Sequence, residues 1–344
     1  MAVKRKYKLN KLKNSYPSRR FDDSTCIGEG IMQLSKEQLV EIIALHGKWL
    51  RKEEDGKRVD LRHANLSGVV FNGADLRFGS LFGANLTDAD LSHTNLYGAN
   101  LTEADLSHAN LSHADLWFVN LRGAFLGSAK LSDAKIADAI LRGTFLDYAN
   151  LRGAVLSGAD LRYGSFRHAN FSGATLTRAN LRGSDFSDAN FSGAFLRGTN
   201  FSEADLCDAD LRGADLRGAD LSDAFLSGAE LSGANFSGAN LSGANLSGTN
   251  LRGTNFSGAN LSGTITERRY LQIGCIYGSL ITYCVDDDVV LCAGLDKHQG
   301  GTLQEFAEQV EGIYGENGEN PNKRLNKECS AAIAFFKACK DDQD

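Results

Sequence analysis

Proline is almost missing from this 344-residue chain: there are two, with two methionines and two tryptophans. An ordinary globular domain turns its loops with several times as much proline. No run of 18 apolar residues occurs, so no membrane-spanning helix is expected. The start of the chain is basic but lacks an apolar stretch, so no secretory leader is expected. Seven cysteines is an odd number without a disulfide-like framework, and five of them follow residue 270. A reducing compartment, the cytoplasm, fits that usage. The apolar fraction of 42% is slightly low for a globular core, and the charged fraction of 23% is ordinary.

What is abundant is glycine, at 37 residues, and a patterned acidity. The net charge of −6 is unevenly placed. Residues 1–59 carry 14 basic and 8 acidic groups, residues 60–264 carry 15 and 21, and residues 265–344 carry 8 and 14. Lys4, Arg5, Lys6, Lys8, Lys11, Lys13, Arg19 and Arg20 fall in the first twenty residues, which hold no acid. That segment reads as a basic arm, either contacting nucleic acid or an acidic partner, or simply solvated.

The dominant signal is a period of five. Every fifth residue from Leu61 to Leu261 is Leu, Phe or Ile, which makes 41 consecutive matches without an insertion. Two residues before each stands a small side chain, and Asn or Asp usually lies between, as in Ala89-Asp90-Leu91 and Ala244-Asn245-Leu246. Five matches neither the 3.6 period of a helix nor the 2 of a strand. It suits a chain that turns a corner after each unit, with the large and small residues inward and the other three positions toward water. Glycine closes 22 of the units, where a corner needs positive φ.

This pattern resembles the pentapeptide-repeat family, A(D/N)Lxx, over about three fifths of the chain. The resemblance implies an all-β solenoid, a right-handed quadrilateral β-helix with four units per coil. About ten coils at ~4.8 Å each give a rod of roughly 50 Å. The expected organisation is a basic arm over 1–30, an N-terminal capping helix over 31–59, the β-helix over 60–264 and a C-terminal α+β module over 265–344.

If residues twenty apart stack, the outside can be mapped. One face and its preceding corner carry Asp88, Glu103, Asp105, Asp147, Asp185, Asp188, Glu203, Asp205, Asp208 and Asp223, against the single base Arg167. Such a stripe either keeps the rod soluble or copies the phosphates of a duplex. The quinolone-resistance members of the family imply the second use, since they mimic DNA in the groove of gyrase. This chain lacks their projecting loops. Beside the stripe runs an arginine ladder of Arg122, Arg142, Arg162 and Arg182, either neutralised by nearby carboxylates or free to bind a partner's anions. Phe125 and Phe145 should stack, and Trp117, Phe118, Ile140 and Tyr148 lie on nearby coils, though not all on one face; together they are an apolar candidate for partner binding or self-association, or a surface covered by the C-terminal module or the N-terminal arm. His63, His93, His108, His113 and His168 close units as solvated corners. His93 and His113 alone are too few for a metal site.

At the N-terminal end, Ser35 to Gln38 reads as a capping box opening a helix over 36–52 that plugs the first coil. In the tail, residues 270–295 read as three strands with a turn at Asp286–Asp288. A second capping box at Thr302–Glu305 opens one helix, and another is expected over 325–340. The run Gly301-Thr302-Leu303-Gln304-Glu305-Phe306 resembles a module that follows pentapeptide repeats in bacterial and phage proteins. Cys275, Cys284, Cys292 and His298 match no zinc spacing. No nucleophile–base pair or phosphate-cradling loop stands out. The sequence therefore reads as a non-catalytic interaction rod without cofactor or metal. Its expected partner is a protein, either a DNA-processing enzyme such as a type II topoisomerase or a component of an assembly. The alternative is a structural or adaptor element, for example of a phage particle, anchored by the basic arm.

Overall fold

The structure is a computed structural model. It describes residues 32–251, 254–256 and 258–265, the strand residues 270–276, 279–284, 289–293 and 301–302, and residues 304, 307, 308 and 311. By contacts the chain divides into Met1–Met32 and Gln33–Asp344. The second unit carries the architecture that follows.

From Asp60 to Asn245, the residue ahead of each large apolar one bridges in parallel to the residue twenty positions later. Four units therefore make one coil, and the expected right-handed quadrilateral β-helix is the fold. The unit Ala84–Asp88 shows why five residues suffice. Asn85 N–H donates to Ala64 on the coil before, at 3.0 Å. Leu86 and Asp88 donate to Asp105 and Ser107 on the coil after, at 2.6 and 3.0 Å. Ala84 closes the corner onto Leu81 at 3.1 Å. The fifth donor, Thr87 N–H, is taken by the Asn85 side-chain oxygen at 3.0 Å. Every backbone donor of the unit is thus satisfied, and the last of them explains the Asn/Asp preference.

This amends the expectation that three of the five positions simply face water. The Asn and Asp side chains lie half-buried against their own backbone, and several also bond along the stack, as Asn85 Nδ2 does to Asn65 Oδ1 at 3.2 Å. The last position of each described unit is left-handed whatever residue occupies it. Glycines such as Gly68 (φ +66) share that conformation with His108 (φ +62) and Asp208 (φ +57). A β-carbon there costs about 1–2 kcal/mol, which the ladder bonds on either side outweigh.

The inward residues form one continuous apolar column: Leu66 and Leu86 are buried, as are the small residues between the large ones. Where a hydroxyl replaces alanine at Thr94, Thr144, Ser184, Thr199 and Thr254 it is buried and satisfied. Thr94 donates to the Phe71 carbonyl at 2.8 Å and Ser184 to the Leu161 carbonyl at 2.7 Å. Phenylalanine enters as a block. Phe166 and Phe186 stack at 4.7 Å, Phe171 and Phe191 at 4.8 Å, and Phe201 meets Phe186 and Phe191 edge-on, each at 5.8 Å. Gly164 replaces the usual small residue beneath this block because a β-carbon would stand 2.6 Å from the Phe166 ring.

Helix α1, Lys36–Leu50, precedes the first coil. Its capping box is complete: the Ser35 hydroxyl accepts from Gln38 N–H at 3.2 Å, and Ser35 N–H donates to the Gln38 side chain at 2.8 Å. Leu39, Ile42 and Ile43, with Leu34 ahead of them, pack on the apolar column. The return loop is drawn tight by Lys57 N–H donating to the Leu45 carbonyl at 3.0 Å. Gly56 sits against the Trp49 backbone with no room for a side chain.

The tail holds a four-stranded antiparallel sheet in chain order: β1 (Tyr270–Ile276), β2 (Ser279–Cys284), β3 (Val289–Ala293) and β4 (Gly301–Thr302). Tyr270 faces Cys284, Cys284 faces Val289, and Val289 faces Thr302. The fourth strand was not anticipated. It ends on Thr302, the first residue of the segment read as a capping box. Residues 304, 307, 308 and 311 are helical, and Gln304 bonds Glu308 at 2.7 Å. The basic arm, the turn at 286–288, His298 and the helix expected over 325–340 lie outside the described residues.

Candidate interaction surface

Whether an outward carboxylate is free depends on the residue two places later. In Asp60-Leu61-Arg62 the guanidinium folds back onto its own unit's carboxylate at 2.7 Å. The same happens in Asp75–Arg77 and Asp160–Arg162 at 2.7 Å, and in Asp210–Arg212 and Asp215–Arg217 at 2.6 Å. The Arg62, Arg162, Arg212 and Arg217 side-chain hydrogen bonds hold the carboxyls of Asp60, Asp160, Asp210 and Asp215 below the usual range. For Asp75, burial pushes the carboxyl up, but the Arg77 hydrogen bonds outweigh it and the net direction is down.

At three stripe positions, Asp105, Asp185 and Asp205, Ser or Cys follows where those units have Arg. Asp105 accepts from Ser107 N–H at 2.9 Å and Asp205 from Cys207 N–H at 3.0 Å. Asp185 accepts from Ser187 N–H at 3.0 Å and from its hydroxyl at 2.5 Å. Asp88, Glu103, Asp188, Glu203, Asp208 and Asp223 stand on left-handed corners. Two members are neutralised. Asp147 takes Arg167 at 2.8 Å, and Glu203 takes Arg182 at 2.7 Å. Arg167 also lies 3.9 Å from Asp185, and His168 lies 3.8 Å from Asp188.

The acids are therefore not evenly strung. Six carboxylates from Asp185 to Asp223 stand on three successive coils, two rises or about 10 Å. Subtracting Arg167 and Arg182 leaves a net of −4, one charge per roughly 2.5 Å, against about 1.7 Å along duplex DNA. Asp88, Glu103, Asp105 and Asp147 spread over about 14 Å.

The four ladder arginines have four fates. Arg162 is bound to Asp160 in its own unit and Arg182 reaches Glu203 on the next coil. Arg142 lies over the Tyr163 ring, 5.4 Å from its centroid. Arg122 has no ion pair among the described residues. Arg122, Arg142 and Arg182 follow Asn120, Ile140 and Asn180, so none has a carboxylate in its own unit.

Ring contacts divide the six apolar residues. Phe125 and Phe145 stack at 5.1 Å with planes 7° apart. Tyr148 stacks on His168 at 4.7 Å. Trp117 and Phe118 meet at 6.2 Å and belong to a longer run. That run passes from Trp49 of α1 to Phe78 at 6.5 Å, to Tyr97 at 5.5 Å and to Phe118 at 5.5 Å. Ile140 is exposed and bridges Asn120 below and Asp160 above. Phe78 and Tyr97 were missed, although the signal was in the chain: Tyr97 and Trp117 are twenty apart, and Phe78 and Phe118 forty.

His93 and His113 stack at 5.0 Å. Among the described residues no cluster could hold a metal ion, and no helix is long and apolar enough to cross a membrane. Cys207 is half-buried, and burial, then the Asp205 carboxylate, push its thiol up to about 12.

A single-stranded ladder of twenty-residue coils around one apolar column defines a quadrilateral β-helical solenoid, and the surface just described decorates it. Eight copies of the pentapeptide-repeat model match between residues 57 and 265. The chain belongs to the pentapeptide-repeat family. Among solved structures it is similar to HetL of the cyanobacterium Nostoc sp. Strain PCC 7120, a pentapeptide-repeat protein involved in heterocyst differentiation regulation. The identity is 32% over 67% of this chain and 98% of HetL, with a TM-score of 0.37. It is similar also to QnrB1, a plasmid-mediated fluoroquinolone resistance protein, at 22% identity over 59% of this chain and 91% of that one, TM-score 0.31. Rfr23 of the cyanobacterium Cyanothece 51142 shares 42% identity over 30% of this chain and 60% of its own, TM-score 0.17. No curated protein matches.

Proposed function

We propose that the chain is a non-catalytic binding rod whose carboxylate cluster, Asp185 to Asp223, enters the DNA groove of a DNA-processing enzyme such as a type II topoisomerase. The observation that carries this reading is local charge density. Five Asp on other faces are bonded by Arg from their own unit, whereas Asp185 and Asp205 are followed by Ser187 and Cys207 and lack such an arginine. A net of −4 in about 10 Å approaches the linear charge of a duplex. A cationic groove meets that charge on a backbone with no conformational freedom to lose, which favours rapid, salt-sensitive association.

The test keeps the side-chain turns and removes only the charge. Asp185→Asn, Asp188→Asn, Glu203→Gln, Asp205→Asn and Asp208→Asn each keep one acceptor oxygen for the turn and exchange the other for an uncharged NH2. Combined, they abolish inhibition in a supercoiling assay while the thermal midpoint holds. Unchanged inhibition by the combined variant rejects the reading.

The second reading is an adaptor or structural element anchored by the basic arm, with the arm's eight basic residues within the first twenty in its favour. Removing residues 1–20 then releases the chain from its assembly, and retention counts against it.

A further inference from the structure

Helix α1 meets the first coil mainly through apolar side chains, with one polar exception. His46 is the buried residue of the helix, fully enclosed. Its Nδ1 accepts a hydrogen bond from Val59 N–H at 3.1 Å, immediately before the first coil begins. An accepting Nδ1 carries no proton, so in the neutral ring the proton sits on Nε2, and Nε2 has no hydrogen-bond partner. Trp49 stacks on the ring at 5.5 Å, with planes 14° apart. The Val59 N–H therefore selects a ring unprotonated at Nδ1.

We propose that His46 is an acid-operated latch: a solvent proton taken up at Nδ1 turns the acceptor into a donor facing the Val59 N–H, and helix α1 lifts from the coil stack. Lifting bares the apolar end of the column that Leu39, Ile42 and Ile43 cover. The groups that face the ring pull in both directions. Burial opposes protonation, the Asp75 carboxylate and the Arg77 carbonyl favour it, and the Arg77 and Arg58 charges oppose it. Burial is the largest influence, and the net direction is down.

The sign follows from linkage. The closed form binds its proton less readily than the open form, whose ring titrates near 6.5. Closure is therefore fully stabilised above that pH. Stability is lost as pH falls from there toward the lower closed-state value, and the open population grows about tenfold per pH unit in that window.

Hydrogen exchange of the full chain, read by mass spectrometry on peptides spanning residues 39–50 and corrected for intrinsic exchange, tests this between pH 7.5 and 5. Protection of α1 in the unaltered protein falls below about pH 6.5, by up to about tenfold per pH unit, while peptides from residues 100–220 hold theirs. His46→Gln can accept from Val59 N–H and does not titrate, so its protection stays level across the same range. A level profile in the unaltered protein, or an undiminished fall in His46→Gln, overturns the latch. If His46→Gln fails to hold α1 at pH 7.5, imidazole nitrogen spectra of the unaltered protein decide. Titration of His46 together with loss of α1 protection supports the latch, and titration without that loss overturns it.

Discussion

Replacing Phe186 by Ala tests whether the column is packed as a stack or merely filled with greasy side chains. Phe186 is enclosed, 4.7 Å from Phe166 in parallel, with Phe171, Phe191 and Phe201 meeting it edge-on at 5.8, 5.3 and 5.8 Å. Buried Phe→Ala changes cost about 3–5 kcal/mol. Each lost aromatic pair adds about 0.5–1.5 kcal/mol. The bridges at Asp185 and Asp205 tie the backbone to both neighbouring coils and prevent collapse into the void, so the upper end of the range applies. Phe186→Leu inserts the residue that the next two coils carry at Leu206 and Leu226; it forfeits the ring pairs but keeps much of the fill, and costs clearly less than the Ala change. Urea melts of both variants give the difference. Because each coil touches only its neighbours, hydrogen exchange should rise in residues 166–206 for the Ala variant and stay unchanged near Leu66. Equal losses in the two variants, or an Ala variant within about 1 kcal/mol of the parent, would refute the stacked-column reasoning.

Four further outcomes are expected. His108→Gly relieves a left-handed β-carbon at an exposed corner and stabilises by about 1 kcal/mol, read by thermal melt; a loss of stability contradicts the strain argument. Asn85→Ala removes the acceptor of Thr87 N–H and costs about 1–2 kcal/mol, while Asn85→Asp, which keeps it, costs less than half of that. The Asp160 carboxyl is depressed by Arg162, so the contribution of this pair is complete above the ordinary carboxylate range near 3.9 and fades as pH falls through its lower folded value. Arg162→Ala therefore narrows the stability gap between pH 6 and pH 3, by no more than about 1 kcal/mol because the pair is partly solvated. Cys207, with its thiol pushed up to about 12, resists alkylation at pH 8 in the folded chain and reacts once urea unfolds it.

The fold was legible because its signal is covalent spacing. Forty-one large apolar residues at a fixed interval leave the chain one periodic way to bury them, and Leu66 over Leu86 follows from counting. The charge state of the surface was less legible. Counting by face put Asp185 on the acidic stripe and Asp215 off it, but counted each as one outward acid. The two differ because Ser187 follows one and Arg217 the other, a local pairing that a face-by-face tally cannot see. Which apolar side chains touch was less legible for a similar reason. Phe125, Trp117 and Tyr148 sit close in sequence but at different unit positions, and twenty residues, not eight or twenty-three, makes neighbours here. His46 gave no signal beyond its place on an apolar helical face. Its partner, Val59 N–H, is thirteen residues away across a loop that no period describes.

The unbroken interval of twenty constrains how such a gene can change length. Losing one five-residue unit would turn everything downstream by a quarter revolution, so that Asp205 and Asp208 would leave the column of Asp185 and Asp188. The remaining leucines would still point inward, and stability would barely register the accident. Only gain or loss of a whole circuit, sixty nucleotides of coding sequence, alters length while keeping each wall's pattern aligned. Length variants within a lineage should therefore differ by full circuits wherever a wall is under selection, and by single units wherever it is not.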